Sequence, residues 1–228
     1  MAATGRRHCE SLKRTASNEL CNYSRTARFL PMIPALLLVT SAILFRILVG
    51  FFGPVDAVGW MNFTPLAAIA LCGAAYFPTR YKLTIPMVSL LLSDVALNVF
   101  HYHVPLGSPF VISHYVGFAL IGLLGWSLQN RASLKTLLPA SIAASLIFYF
   151  VTNCVSWVYE PGYPKTFAGF VQAQTIGLPV YNGATPAWMF LRNSLLGDLF
   201  FTTLFVVCMS LGRKTSRARA GAALPRVA

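Results

Sequence analysis

Asp94 sits in SLLLSDVALNVFHYH, residues 89 to 103, as one carboxylate in an otherwise oily run. At the centre of a lipid-embedded helix a carboxylate is disfavoured by about 2.5–3.5 kcal/mol, so such a group pairs, lines water or touches a ligand. Read as a helix, the segment places Asp94, Asn98 and His101 at i, i+4 and i+7, on one face. Tyr149, Asn153 and Trp157 repeat every fourth residue in a later apolar run, and Ser194, Asp198 and Thr202 do the same in the last one. Three polar faces predict hydrogen bonding to a small-molecule substrate in a shared cavity. Asn62, Thr64 and Asn193 join the set, and Trp157 would stack on a ring. Arg46 matches Asp94 in depth and is the expected structural ion-pair partner.

The imidazoles allow a rival chemistry. His101, His103 and His114 with Asp94 could form a metal centre for an intramembrane enzyme, since imidazole suits zinc, copper or nickel. No second ligand cluster accompanies them in the sequence, so the expectation is no metal and no cofactor. There is no G-x-x-x-x-G-K phosphate loop, no G-x-S-x-G elbow and no H-E-x-x-H helix. The reading is therefore a binding or transport protein with no catalytic residues. The alternatives are a metal-dependent or other membrane enzyme, or a structural subunit whose polar groups only pair helices.

The elements that must carry these residues are membrane helices. The 228 residues are 56% hydrophobic and 11% charged, with a mean hydropathy of +0.63, far from soluble-domain usage. Six apolar runs, at 32 to 52, 63 to 78, 83 to 100, 109 to 128, 136 to 158 and 187 to 211, predict an all-α, polytopic bundle of six transmembrane helices; the second run is short for a span. Proline marks each start, at Pro34, Pro65, Pro86, Pro109, Pro139 and Pro186. In Thr64-Pro65, Ser108-Pro109 and Thr185-Pro186 a hydroxyl precedes it, as an N-cap requires.

The net charge of +12 could suggest nucleic acid, but the distribution argues for membrane lipid. Basic residues lie before the first run, at Arg80 and Lys82, at Arg131 and Lys135, and after the last run, while the alternate connections 53 to 62 and 101 to 108 have none. By the positive-inside rule both termini are cytoplasmic in a bacterial inner membrane. Residues 1 to 30 form a basic tail expected to be disordered, 31 to 212 the membrane domain and 213 to 228 a second basic tail. With this topology the polar residues gather in the outer half. The apolar 159 to 186 connection predicts a segment packed over the cavity mouth. Five unpaired cysteines suggest neither a disulfide framework nor a zinc site.

The runs NFTPLAAIALCGAAYF, SDVALN, TNCVSWVYEPGYPKTFAGF and RNSLLGDLFFTTLF resemble a family of uncharacterised bacterial membrane proteins allied to the substrate-binding S components of energy-coupling factor (ECF) transporters. The resemblance covers about residues 35 to 211. It implies a six-helix protein that binds a vitamin-like micronutrient from outside and works with a transmembrane coupling subunit and ATPases. It singles out Asn62, Thr64, Pro65, Asp94, Asn153, Trp157, Asn193, Gly197 and Asp198. S components commonly dock their partner through an Ala-x-x-x-Ala surface on the first helix; here that helix offers only Ala35, Ser41 and Ala42, and the spacing falls instead on Ala70 and Ala74.

Overall fold

The structure is a computed structural model that describes residues 33–52, 63–101, 103–179 and 185–223; the side chains of Val49, Phe52 and residues 216–223 are not among what it describes. Seven α-helices, and no strand, occur among the described residues. They are α1 (Ile33–Phe52), α2 (Leu66–Tyr76), α3 (Thr84–Asp94), α4 (Pro109–Ser127), α5 (Leu134–Tyr159), α6 (Phe167–Thr175) and α7 (Trp188–Ala223). Each predicted apolar run corresponds to one of these helices, and α6 lies within the 159 to 186 connection. The Asn62 expected in the ligand set and the tail 1 to 30 lie outside the described residues. In place of a tail from residue 213, α7 runs on through the basic segment to Ala223.

By length and composition three helices can cross a bilayer: Pro109–Ser127, Leu134–Tyr159 and Trp188–Thr215. The other three predicted spans are shorter apolar helices. At 11 residues α2 rises only about 16 Å, half of a hydrocarbon core of about 30 Å. Rows of large apolar side chains stay exposed at helical spacing: Ile112, Val116, Leu120 and Leu123 on α4, Ile142, Leu146 and Phe150 on α5, and Leu196, Phe200 and Leu204 on α7. Water would penalise such contiguous rows and lipid would not. The chain is a membrane-embedded protein.

The chain forms two compact units, residues 1–37 with 207–228, and residues 38–206. In the described part of the first, Ala35 is buried and Arg213 and Lys214 are exposed. The second contains α2 to α6 with the greater part of α1 and the first half of α7.

In that larger unit α2 is the core. Every residue from Leu66 to Ala75 is buried, as expected of a helix that is apolar all round. It packs on α3, α4 and α5, and the Phe205 ring of α7 lies 6.2 Å from Tyr76 and 5.9 Å from Phe77. Its alanines let neighbouring backbones approach. A Cβ built on Gly125 of α4 would stand 2.2 Å from the Leu71 carbonyl oxygen and 3.1 Å from the Ala74 Cβ, so only glycine fits there. Ala70 and Ala74 are both fully buried. Their small-residue spacing serves packing inside the chain, so they offer no open surface for docking a separate subunit.

One helix start follows its sequence signal: the Ser108 hydroxyl accepts the Val111 N–H at 3.3 Å. Helix α5 begins earlier than Pro139 predicted, with Ser133 and Thr136 forming a reciprocal capping box and Pro139 inside the helix. Helix α3 departs from its predicted regularity, because residues Val95–Val99 form a π turn directly after Asp94. The wider turn changes the helical phase, so Asp94, Asn98 and His101 do not share one face. Asp94 is buried, Asn98 half-buried and His101 exposed.

Gly125 and Gly107 make a matched pair for testing the close approach of α4 to α2. Gly125→Ala is expected to lower stability by about 1–3 kcal/mol, the usual cost of overpacking. Gly107→Ala, where a Cβ meets nothing within 4 Å, should leave the melting temperature in detergent unchanged. Equal melting of the two variants would contradict the packing described.

Candidate functional site

Two cavities lie in the larger unit, and the predicted polar residues divide between them. The smaller, of about 130 Å³, is lined by Arg46 of α1, Thr64, Leu66 and Ala67 at the start of α2, His114 and Phe118 of α4, Phe148 of α5, and Ser194 and Asp198 of α7. The larger, of about 380 Å³, is lined by Phe110 of α4, Asn153 and Ser156 of α5, Glu160, Tyr163, Leu178, Ala187, and Phe190 of α7.

At the smaller cavity, Arg46 reaches Asp94 with Nη2 at 2.9 Å from Oδ1, and its Nη1 donates to the Ser93 hydroxyl at 2.5 Å. The Asp94 side chain is wholly buried, and no well-formed hydrogen bond from the described residues reaches its Oδ2. His114 and Tyr115 lie within electrostatic reach of both charges. The His114 ring packs 5.5 Å from Phe148.

Asp198 does something the sequence did not announce. Its Oδ2 accepts the Ser145 hydroxyl at 2.6 Å, and the carboxylate also accepts the backbone N–H of Ala68. Ala68 is the third residue of α2, where helix N–H groups have no partner in their own helix. No side chain of its own caps α2, so the hydroxyl cap expected from Thr64 is replaced by a carboxylate from another helix. Gly197 allows this approach, since a Cβ there would already touch the Phe63 Cα and the Thr64 nitrogen at 3.4 Å. Next to it Asn193 is buried, and its Oδ1 accepts from the Arg192 guanidinium at 3.2 Å.

The larger cavity is roofed by the segment between α5 and α7. Trp157 pins the segment, its indole N–H donating to the Pro164 carbonyl at 3.0 Å. The Lys165 ammonium donates to the carbonyls of Trp157 and Glu160, at 2.5 and 2.8 Å, and so satisfies the end of α5. Then α6 lies along α5: the Tyr149 hydroxyl donates to the Gln174 carbonyl at 2.8 Å, and the Phe170 ring sits edge-on to Trp157 at 5.6 Å. The turn after α6 uses Gly177 at φ 79°, in the left-handed region. Asn153 donates from Nδ2 to the Tyr149 carbonyl at 3.0 Å.

Thr64 and Asp198 therefore share the smaller cavity with Arg46, and Asp94 stands behind Arg46. Asn153 lines the larger one. Among the described lining residues of either cavity, Asn98, His101, Trp157 and Asn193 do not appear. His101 instead packs against Phe51 at 4.9 Å. Ser156 and Glu160 were missed, although they extend the Tyr149 and Asn153 face at i+3 and i+7 from Asn153. Ser145 was missed for want of any local signal. His101, His103 and His114 do not converge: among the described residues no three His, Cys, Asp or Glu side chains come together to hold a metal. Cys72, Cys154 and Cys208 are free.

Among the described residues, fold and site define an all-helical membrane-embedded protein with a small polar cavity and a larger, mostly apolar one. It belongs to a family of unknown function (DUF6580), whose family model matches residues 26–220, from ahead of α1 into the last turns of α7. No curated protein and no solved structure matches the chain.

The Arg46–Asp94 pair gives a direct test of what the buried charges do for folding. Asp94→Leu alone removes the direct partner of a buried guanidinium, leaving it only Asp198 across the cavity, and should cost up to about 3–5 kcal/mol, whereas Arg46→Met with Asp94→Leu should recover most of that loss. Thermal melts of the purified variants read the difference; a double variant no better than the single would refute the pairing.

Proposed function

We propose that the chain is a membrane-embedded binding subunit that captures a small, vitamin-like organic molecule in the larger cavity, resembling the S components of ECF transporters. The observation that carries this reading is the cavity of about 380 Å³ bordered by α4, α5 and α7 with Glu160, Tyr163, Leu178 and Ala187 of the connection. Pockets that take small organic ligands run from about 300 to 1,000 Å³. The smaller cavity, at about 130 Å³, falls short of that range.

The lining suggests the ligand's charge. Among the described lining residues Glu160 is the one ionisable carboxylate, and there is no Lys, Arg or His. Phe110, Tyr163 and Phe190 add aromatic rings, which suit flat or cationic groups. A neutral or positively charged ligand is favoured over an anion. Asn153 and Ser156 would orient it by hydrogen bonds.

Chain order supports an outward mouth. The start of α4, the end of α5 and the start of α7 all border this cavity, whereas Arg131, between α4 and α5, and Lys135, in the first turn of α5, lie at the other end of these helices. With the basic ends cytoplasmic, this cavity would face outward. A capture subunit then needs an energised partner, which the resemblance supplies as a coupling subunit with ATPases. That partner would have to dock on a surface other than Ala70 and Ala74, which are buried.

Mass spectrometry of the purified wild-type chain should find a retained small molecule. Asn153→Ala and Glu160→Gln should each cut its occupancy about tenfold, the loss expected for one buried or charge-assisted hydrogen bond. A wild type that retains nothing, with no uptake defect in either variant, would leave the structural-subunit reading as the better one.

A further inference from the structure

The smaller cavity has a charge count that ligand capture leaves unexplained. One guanidinium, Arg46, faces two carboxylates, Asp94 and Asp198, all at least four-fifths buried. Both terminal nitrogens of Arg46 are engaged, by Asp94 and by Ser93. Asp198 keeps only neutral donors, the Ser145 hydroxyl and the Ala68 N–H. The other groups that face it are Cys72 of α2 with Thr202 of its own helix, and, across the cavity, Arg46 of α1 and His114 of α4. Tyr115 of α4 lies beside Asp94. Among the described residues no further charge approaches, so the cluster with both carboxylates ionised carries one uncompensated negative charge. In a low-dielectric interior such a charge costs several kcal/mol, and one bound proton removes it.

The space suits that occupant. A cavity of about 130 Å³ holds several waters, each needing on the order of 10–15 Å³ and two to four polar partners. Thr64, His114, Ser194 and Asp198 supply those partners. Buried carboxylate and imidazole groups joined by water are the usual parts of intramembrane proton relays.

We propose that this cavity is a proton-binding site that holds one exchangeable proton, carried either by the Asp198 carboxyl or by the His114 imidazole across the intervening water. The transfer breaks an O–H bond at Asp198 and forms an N–H bond at His114, with no other change in bonding. Because Asp198 caps α2, the position of the proton alters how firmly α7 is held to α2. Protonation is thereby tied to the packing of the two helices, whichever ligand the larger cavity takes.

Infrared spectra of the full chain over a pH titration, paired with nitrogen NMR of labelled histidine, test the site. The wild type should show, near neutral pH, either a protonated-carboxyl C=O band or a buried imidazolium signal. Asp198→Asn and Asp94→Asn should each abolish it, because either change balances Arg46. His114→Gln should leave the proton on the carboxyl and retain the band. A wild type with neither signal would overturn the proposal, and that spectrum depends on no variant folding. A band that survives Asp198→Asn would overturn it too.

Discussion

A short helix buried on all sides has to find partners for its ends inside the protein, and that requirement organises this structure. At 11 residues α2 cannot carry its termini out to water on both sides of a bilayer. Its first N–H groups have no partner within the helix, and an unsatisfied backbone group away from water costs several kcal/mol. Asp198, reaching the Ala68 N–H from α7, meets the need with a charge-assisted bond. Gly197 lies against the backbone before α2, where a Cβ would make ordinary contact with Phe63 and Thr64. Ser145 is drawn in as well, because the capping carboxylate must be satisfied in turn. One buried helix end therefore fixes residues on α5 and α7.

Much of this was legible in the sequence where the signal is local. Apolar runs located all six main helices, because hydropathy integrates over many residues, and Ser108-Pro109 marked a true cap. Asp94 and Arg46, matched in depth by the sequence, do meet. The three-faced cavity was not legible. Its argument on α3 assumed 3.6 residues per turn through Asp94, and the π turn at Val95–Val99 breaks that phase. Likewise, nothing near Asp198 in the chain points to Ser145, 53 positions away. Trp157 shows the limit of reading a face by type alone. Its spacing with Asn153 suggested a ligand platform, and its N–H instead secures the Pro164 carbonyl.

The 159 to 186 connection shows how an apolar loop becomes structure. Its hydrophobic content could not remain in solvent, and α6 lets it bury one face on α5 while satisfying its own backbone. Gly169 permits the tight return: a Cβ there would fall 1.9 Å from the Pro164 carbonyl oxygen. The described segment is tied down by Trp157 to Pro164, Lys165 to the end of α5, and Tyr149 to Gln174. Segments of this kind open more easily than a core helix does.

The two cavities thus divide the work by size and charge. The larger is roomy, with a mostly aromatic and apolar lining; in the proposed function that lining takes an organic molecule. The smaller is too tight for such a molecule and is bounded by side chains that also hold α1, α2, α3 and α7 in place. Occupancy changes there act on helix packing. Phe110 and His114 lie one turn apart on α4, one lining each cavity, as do Phe190 and Ser194 on α7. Helices α4 and α7 border both spaces, so a shift of either helix on protonation at the proposed proton site would reach the larger cavity.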